Sequence, residues 1–290
     1  MALAKMSVVL LICCCLVSGV QAQVLEVKYF PTAVSKDDKR AEYVIGLLTL
    51  ALEKTRKSDG PYQMIPVGGI NIARAAHWLK SGDYVNVIWT TPTVDRENSF
   101  LPIRIPIRKG LLGYRVFLIQ KQDAEKFSTI KTLEDLKRLS VGQGQVWNDG
   151  KVFKASGFDV VTGSSYEGLF SMLMNGRFDF FSRGINEAPV EYEMRKDKFP
   201  NLFIEESILL YYPWPKYFFT SKENPELADR IERGLRLMLQ DGSFDEHLMK
   251  YHKIDIEKVN LKNRRLFKID NPLLPSTAPL NQKELWFYPF

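Results

Sequence analysis

Cysteine is scarce in this chain of 290 residues. Its three copies, Cys13, Cys14 and Cys15, stand together near the amino terminus, and none follows them. The rest of the chain therefore cannot form disulfides, bind zinc through thiolates or use a thiol nucleophile. Its stability has to come from an ordinary hydrophobic core, for which this length is sufficient.

Histidine is just as rare, since only His77, His247 and His252 occur. We predict His77 on one helix and the other two in or just after the last helix, away from the polar loops. The sequence contains no metalloprotease helix motif, nucleophile elbow, phosphate loop or complete dinucleotide fingerprint. It therefore predicts neither a metal site nor a bound cofactor.

Long apolar runs are missing after the amino-terminal segment. There, Lys5 precedes an apolar run from Val8 to Val17, and Val20-Gln21-Ala22 offers small side chains. This order is typical of a secretory signal peptide cut after Ala22, and the run is too short for a transmembrane helix. We predict that residues 1–22 are a signal peptide and that the mature chain is exported to the periplasm as a soluble protein. A lipid anchor is the second choice, because no small residue precedes the cysteines.

Charge of one sign is not concentrated anywhere in the sequence. Lys and Arg number 40 against 34 Asp and Glu, which gives a net charge of +6. The basic residues are spread along the chain, without a block of five or more. We therefore predict no nucleic-acid partner, although a modest positive field favours anionic small molecules.

The first part of the mature chain alternates between strand and helix patterns. Strand patterns cover Val24–Phe30, Tyr62–Val67 and Tyr84–Trp89, and amphipathic helices separate them. Such alternation predicts a largely parallel sheet covered by helices, with ligands beyond the carboxyl ends of the strands.

A second, similar unit begins at the strand Tyr114–Gln120, and Pro213-Trp214-Pro215 marks a return crossing. We predict a two-lobed α/β fold, in which each lobe is a mixed sheet flanked by helices and the ligand cleft lies between the lobes. Residues 23–113 and 214–290 are assigned to lobe 1 and residues 114–213 to lobe 2. The last thirty residues combine four prolines with large apolar side chains, so we predict a tail packed along the surface.

Polar and aromatic residues collect where strands of both lobes are predicted to end. We predict a ligand site made of Tyr29, Trp89, Thr90, Thr91, Arg96, Gln143, Trp147, Arg183 and Glu187. The alternative for the aromatic residues is core packing. For Arg96 it is a surface ion pair with Asp95 or Glu97, and for Arg183 an ion pair between the lobes.

Several short motifs follow one another in an order that belongs to a known family. They are Thr91-Pro92-Thr93-Val94-Asp95-Arg96-Glu97, Thr132-Leu133-Glu134-Asp135-Leu136, Gly176-Arg177-Phe178-Asp179, Ser221-Lys222-Glu223-Asn224-Pro225-Glu226-Leu227 and Asp241-Gly242-Ser243-Phe244. In their order, over nearly all of the mature chain, the sequence resembles the type II periplasmic solute-binding proteins. The best fit is bacterial extracellular solute-binding family 3, whose members bind amino acids.

The resemblance implies a role for Arg96, because the family's arginine at this position holds the ligand carboxylate. A planar guanidinium can give a carboxylate two charge-assisted hydrogen bonds. The sequence departs from the family where an aspartate usually holds the ligand's α-amino group, since that position is Gly184, next to Arg183. Glu187 is a possible substitute, although an acid there also suits a helix start. Arg183 indicates a second anionic group on the ligand or an ion pair between the lobes.

The resemblance implies an exported monomer that binds a small carboxylate-bearing solute, amino-acid-like or otherwise anionic, for import by an ABC transporter. Its other partner would be a membrane permease. One alternative is a protein that reports its ligand to a membrane receptor, because transport and sensing share lobe closure. Another is a cleft enzyme similar to the cyclohexadienyl dehydratases, with Glu187 or Asp149 as its carboxylate. We predict a binding protein rather than an enzyme.

Overall fold

The computed structural model describes residues 24–31 and 40–290. The predicted signal peptide and the cysteines in it lie outside the described residues. Within the described ranges, no helix is long and apolar enough to cross a membrane.

Strands and helices alternate through most of the described chain. Lobe 1 begins with β1 (Leu25–Tyr29), α1 (Arg40–Lys54), α2 (Arg56–Asp59), β2 (Tyr62–Pro66), α3 (Ile72–Leu79), β3 (Val87–Thr90), α4 (Val94–Ser99) and β4 (Leu101–Ile103). Lobe 2 follows with β5 (Tyr114–Gln120), α5 (Ala124–Ser128), α6 (Leu133–Lys137), β6 (Val141–Gly144), α7 (Asp149–Ala155), β7 (Val160–Gly163), α8 (Tyr166–Met174), β8 (Phe180–Gly184), α9 (Ala188–Glu193), β9 (Leu202–Ile204) and β10 (Ile208–Tyr211). The chain ends with β11 (Tyr217–Thr220), α10 (Pro225–Asp241), α11 (Ser243–Lys258) and β12 (Arg265–Lys268).

Each lobe is built on one mixed sheet, which confirms the predicted fold class. The lobe 1 sheet has five strands in the order β2-β1-β3-β11-β4, in which β1 runs parallel to β2 and β3, and β11 is antiparallel to β3 and β4. The lobe 2 sheet has seven strands in the order β12-β10-β5-β8-β6-β7, with β9 paired to β5. The return of β11 beside β3 makes lobe 1 discontinuous in sequence.

Local sequence signals set several helix starts. Thr132 and Asp135 form the predicted reciprocal capping box of α6, and Ser165 caps α8 by accepting a hydrogen bond from the Gly168 amide. Ser243 does not cap α11, because the helix already begins at that residue and follows Gly242 in the left-handed conformation. The Ser243 hydroxyl instead donates to Asp241 Oδ1 at 2.6 Å.

The core of lobe 1 depends on a close approach of α1 to α10. Leu47, Leu48 and Leu235 are fully buried in this core. Gly234 stands where the helices meet, and a Cβ on it would lie 2.0 Å from the carbonyl oxygen of Ala51. The contact therefore requires glycine, because a methyl group would push the two helices apart.

The two predicted crossings between the lobes lie against each other. The Tyr212 amide donates to the carbonyl oxygen of Gly113 at 3.2 Å, and a Cβ on Gly113 would lie 2.2 Å from the Tyr212 carbonyl oxygen. Ile105 and Ile107, which precede Gly113 in the chain, are buried in the lobe 1 core. The touching backbones mark the place where both crossings pass between the lobes.

The carboxyl-terminal part returns to lobe 2, although residues 214–290 are predicted to belong to lobe 1. Helix α11 packs Phe244 and Leu248 into the lobe 1 core, and Val259, just after it, belongs to a core cluster of lobe 2. Strand β12 then pairs in parallel with β10 of lobe 2. A strand of only four residues has little sequence signal, and its place depends on a free sheet edge far away in the chain.

Two histidines of α11 are buried beside Tyr43. His247 stacks on the Tyr43 ring with centroids 4.9 Å apart, and its Nε2 lies 2.8 Å from the Tyr43 carbonyl oxygen. His252 lies 5.0 Å from the same ring, and its Nε2 is buried without a hydrogen-bond partner among the described residues. Burial, followed by the charges of Arg108 and His247, lowers the pKa of His252 from 6.5 to about 3.

Lowering the pH from 7.5 to 5 is expected to destabilise the protein through His252. His252 takes up a proton near pH 6.5 in the unfolded chain and only near pH 3 in the folded protein. Between these values the unfolded state binds more protons, so stability decreases as the pH is lowered. At pH 5 this costs about 2 kcal/mol of the free energy of unfolding. Urea denaturation of His252→Phe at both pH values should show a smaller loss than the wild type.

The exposed His77 provides the matched control. His77→Gln is expected to keep the full pH dependence. Equal losses of stability in wild type and His252→Phe would remove His252 as their source.

Candidate functional site

The predicted ligand loop connects β3 to α4 and is fixed by two threonines. Thr93 caps α4, because its Oγ1 accepts a hydrogen bond from the Arg96 amide at 3.2 Å. The Arg96 side chain folds back along the loop, and its Nη1 donates to the Thr91 carbonyl oxygen at 2.9 Å and to Thr91 Oγ1 at 3.3 Å. One edge of the guanidinium is thereby held in a set orientation.

Arg96 carries a charge that no acidic side chain of the described residues neutralises. The neighbouring Glu97 is engaged by Arg104, whose Nη2 lies 2.6 Å from Glu97 Oε2. Arg96 is half-buried, and this burial lowers the pKa of its guanidinium, which still stays protonated at neutral pH. The surface ion pair considered for Arg96 is not formed with Glu97, so the guanidinium can receive an anion from outside.

The aromatic residues at the strand ends of lobe 1 pack in its core. Tyr29 and Trp89 are 8% and 5% exposed, and their ring centroids lie 6.3 Å apart. Trp89 also meets Phe218 edge to face at 6.4 Å. Thr90 ends β3, where it pairs with Tyr217 of β11 and stays partly exposed. Tyr29 and Trp89 are therefore core residues of lobe 1.

In lobe 2, strand β6 contributes Gln143 and the loop after it contributes Trp147, and the two side chains lie in different environments. Trp147 folds back on its own lobe, where its ring stacks on Phe181 with centroids 6.1 Å apart. Gln143 is 1% exposed, and neither its Nε2 nor its Oε1 has a hydrogen-bond partner among the described residues. A buried carboxamide without partners is costly, so a small polar guest such as water suits this position.

Arg183 is occupied by acids of its own lobe. Its Nε and Nη2 donate hydrogen bonds to the carboxylate of Glu191 at 2.7 and 2.6 Å, and Nη2 lies 3.3 Å from Glu187 Oε2. Its guanidinium carbon lies 5.0 Å from the ring centroid of Trp147. The side chain is thus built into lobe 2, and we do not retain Arg183 as a contact for a second anionic group.

Glu187 is likewise held within lobe 2. Its Oε2 accepts a hydrogen bond from the Gly184 amide at 3.0 Å and lies 3.5 Å from Arg115 Nη1. Burial raises the pKa of Glu187, but the charges of Arg183 and then Arg115 outweigh it, so the pKa lies well below its usual range. Glu187 is therefore an ionised carboxylate with arginine partners, which leaves little of its charge for an amino group.

Sequence reasoning missed a second buried cluster next to Glu187. The Arg115 guanidinium forms an ion pair with Asp149, and its Nε donates to the Tyr212 hydroxyl at 2.8 Å. That hydroxyl in turn donates to Asp149 Oδ1 at 2.6 Å. The available signal was Arg115 itself, a charge inside the apolar strand Tyr114–Gln120, because such a residue needs a partner when buried.

A narrow pocket lies where the two lobes meet the carboxyl-terminal tail. It is lined by Thr91, Pro92, Thr93, Asn148, Trp214, Pro215, Asn271, Leu273 and Leu274, and it contains about 210 Å³ of space not filled by atoms. The ligand loop of lobe 1 thus faces the polar loop of lobe 2 across this space. None of the lining residues is charged. Among the described residues, no group of three or more His, Asp or Glu could hold a metal ion.

Comparisons with known proteins find similarity in structure only. No family model matches the chain, and no curated protein matches it. A Bacillus subtilis protein, YckB, superposes with a TM-score of 0.53 at 21% identity, covering 85% of this chain and 97% of its own. An ancestral arginine-binding protein bound to arginine gives a TM-score of 0.51 at 21% identity, covering 79% and 97%.

A third structure is also similar to this chain. The second VFT domain of Bordetella pertussis BvgS, in a double-mutant form, gives a TM-score of 0.51 at 16% identity and covers 79% of this chain and 93% of its own. Identities this low support the fold and leave the ligand open. The chain therefore has the two-lobed α/β fold of the periplasmic solute-binding proteins.

Proposed function

We propose that this protein is exported and captures a small carboxylate-bearing solute between its lobes, for delivery to an ABC transporter. The observation that carries the proposal is Arg96, a half-buried guanidinium oriented by Thr91 and without an acidic partner among the described residues. A carboxylate at the free edge of the guanidinium would gain charge-assisted hydrogen bonds. One structurally similar protein, the ancestral arginine-binding protein, binds an amino acid, which is consistent with this chemistry.

The acids of lobe 2 define the ligand further. Asp149 is paired with Arg115, and Glu187 and Glu191 are paired with Arg183. A ligand ammonium would have to compete with these arginines for the same carboxylates. The arrangement favours a ligand whose recognition depends on its carboxylate and not on an amino group. Gln143 stays a proposed polar contact on the lobe 2 side.

Lobe closure supplies the mechanism. Thr91 of lobe 1, which orients Arg96, and Asn148 of lobe 2 both line the pocket, so a ligand there touches both lobes only when they are together. Differential contact of this kind shifts the population towards the closed state. The contact between Gly113 and Tyr212, where the two crossings meet, is the hinge that we propose for this movement.

A ligand-sensing role is the second candidate, because one similar structure is a domain of BvgS. Binding would be the same in both roles, and only the partner at the membrane differs. The enzyme alternative is weaker, since both carboxylates considered for it, Glu187 and Asp149, are engaged by arginines.

The direct test is a thermal-shift screen with paired compounds. Mono-, di- and tricarboxylates and amino acids are compared with their amides, which have the same shape without the negative charge. We expect some acids to raise the melting temperature and their amides to leave it unchanged. If amides stabilise as well as acids, or if no acid stabilises, the proposal fails. Nuclear magnetic resonance of the stabilising compounds after incubation shows whether any is converted, which would favour an enzyme.

A further inference from the structure

The carboxyl-terminal segment after β12, residues 270–290, runs from lobe 2 across the cleft to lobe 1; we call it the strap. Its beginning is anchored on lobe 2. Phe267 and Ile269, just before it, are buried in that lobe's core, and the Ile269 amide donates to the Tyr211 carbonyl oxygen at 3.0 Å. Asn271 then donates from Nδ2 to the Pro213 carbonyl oxygen at 2.8 Å and accepts from the Leu273 amide at 3.0 Å. This fixes the strap at the second crossing.

The next part of the strap lines the pocket between the lobes. Leu273 and Leu274 stand opposite Thr91, Pro92 and Thr93 of the ligand loop. The polar atoms of the Asn271 side chain are already used within the strap and its anchor. The strap therefore presents apolar side chains to the cleft and no free polar group from Asn271, which is the composition of a cover.

The far end of the strap is fastened to lobe 1. Thr277 Oγ1 donates to Glu97 Oε2 at 2.6 Å, one residue after Arg96. Leu285 is 1% exposed in the lobe 1 core, and the Phe287 amide donates to the Lys109 carbonyl oxygen at 2.7 Å. The Trp286 ring covers Gly110, where a Cβ would lie 2.4 Å from the ring. Both lobes thus hold one continuous stretch of chain.

The small size of the pocket indicates a role for the strap. Sites for small molecules enclose roughly 300–1,000 Å³, whereas the 210 Å³ of space here includes open solvent and the enclosed cavity is only about 10 Å³. A carboxylate-bearing solute does not fit into this pocket unless the surrounding parts move. Because the strap is tied to both lobes, they cannot separate widely while its contacts last.

We propose that the strap is a latch: its Thr277–Glu97 contact and its anchors in both lobes hold the cleft closed, and the latch has to release before the lobes open. The strap thereby couples opening of the cleft to the segment that carries Arg96. This inference concerns the lobes themselves and does not depend on which ligand the cleft takes.

The distance between the lobes in the ligand-free protein tests the latch. In the full chain with Cys13, Cys14 and Cys15 changed to serine, spin labels are attached to cysteines that replace the exposed Lys57 of lobe 1 and Lys154 of lobe 2. A protease recognition sequence inserted between Leu280 and Asn281, which are both exposed, allows the strap to be cut. We expect electron–electron double resonance to show one short distance before cleavage and an added longer distance after it.

A point variant tests the latch without cutting the chain. Thr277→Val is expected to raise the open-to-closed ratio about tenfold, the effect of losing one hydrogen bond to a charged acceptor. Ser276→Ala, at the exposed neighbouring position, should leave the ratio unchanged. Circular dichroism confirms that each protein stays folded.

Two outcomes would overturn the inference. If the cut and uncut proteins give the same distances, the strap does not restrain the lobes. If cleavage opens the lobes but Thr277→Val does not, the restraint lies in the covalent tether and the role given to the Thr277–Glu97 contact is wrong. Failure of every compound in the thermal-shift screen would leave both distance measurements intact, so the two proposals can fail separately.

Discussion

Replacing Arg96 with alanine is expected to abolish stabilisation by carboxylate ligands while the protein stays folded. The guanidinium makes its only hydrogen bonds within the described residues to Thr91, so the fold loses little when it is removed. A bound carboxylate would lose its cationic partner in a partly desolvated site. Losses of this kind cost about 2–5 kcal/mol, which corresponds to at least ~30-fold weaker binding.

Isothermal titration with an acid found in the thermal-shift screen measures this loss. Arg96→Lys separates charge from geometry, because an ammonium keeps the charge but cannot form the planar fork. It should bind more tightly than Arg96→Ala and less tightly than the wild type. Arg236→Ala is the matched control, since Arg236 is an exposed arginine of the same lobe that pairs with Glu232 on α10. Unchanged affinity in Arg96→Ala would remove Arg96 from the site and leave the proposed function without its main support.

The sequence predicts well those parts of the fold that depend only on contacts between residues close together in the chain. The helix cap of Thr132 and Asp135 lies within four residues of chain and needs no distant partner. The same holds for the loop of Thr91 and Arg96, where every contact that orients the guanidinium lies five residues away or less. Local signals of this type do not depend on how the rest of the chain folds.

The parts that sequence leaves open depend on partners brought together by folding. Arg183 could face a ligand or an acid, and the sharp turn after Gly184 places Glu191, eight residues on, against its guanidinium. Arg115 meets Asp149 only because β5 and α7 lie at the same edge of lobe 2. Strand β12 finds its place through the free edge of β10. Pairings between distant segments are set by tertiary packing, which a single sequence does not display.

Replacing Glu205 with alanine is expected to give the largest loss of stability among these variants. Glu205 and Arg264 are both 2% exposed in their side chains and lie 3.6 Å apart. The Glu205 carboxylate also accepts hydrogen bonds from the amides of Ser207 and Ile208 at 2.6 and 2.8 Å. Without it, the buried guanidinium loses its counter-charge and two amides lose their acceptor, at a cost of about 3–5 kcal/mol.

Urea denaturation measures this loss, and Glu206→Ala is its control. Glu206 is the neighbouring acid but is exposed, so its removal should change the free energy of unfolding by less than about 0.5 kcal/mol. The double variant Glu205→Leu, Arg264→Met removes both charges together and should recover part of the loss. Recovery stays partial, because the backbone groups that the pair satisfied remain buried. Equal stability of Glu205→Ala and Glu206→Ala would contradict the prediction.

The same variant connects stability to the latch. Arg264 stands at the entry to β12, where its Nε donates to the Val259 carbonyl oxygen at 2.6 Å and its Nη1 to that of Ile208 at 3.0 Å. Losing Glu205 should therefore loosen the anchor of the strap on lobe 2 before the core of lobe 1 is affected. Hydrogen exchange of Glu205→Ala should show faster exchange in residues 265–269 and unchanged exchange in α10. Uniformly faster exchange throughout the protein would instead mean that the pair supports the whole fold and has no special link to the strap.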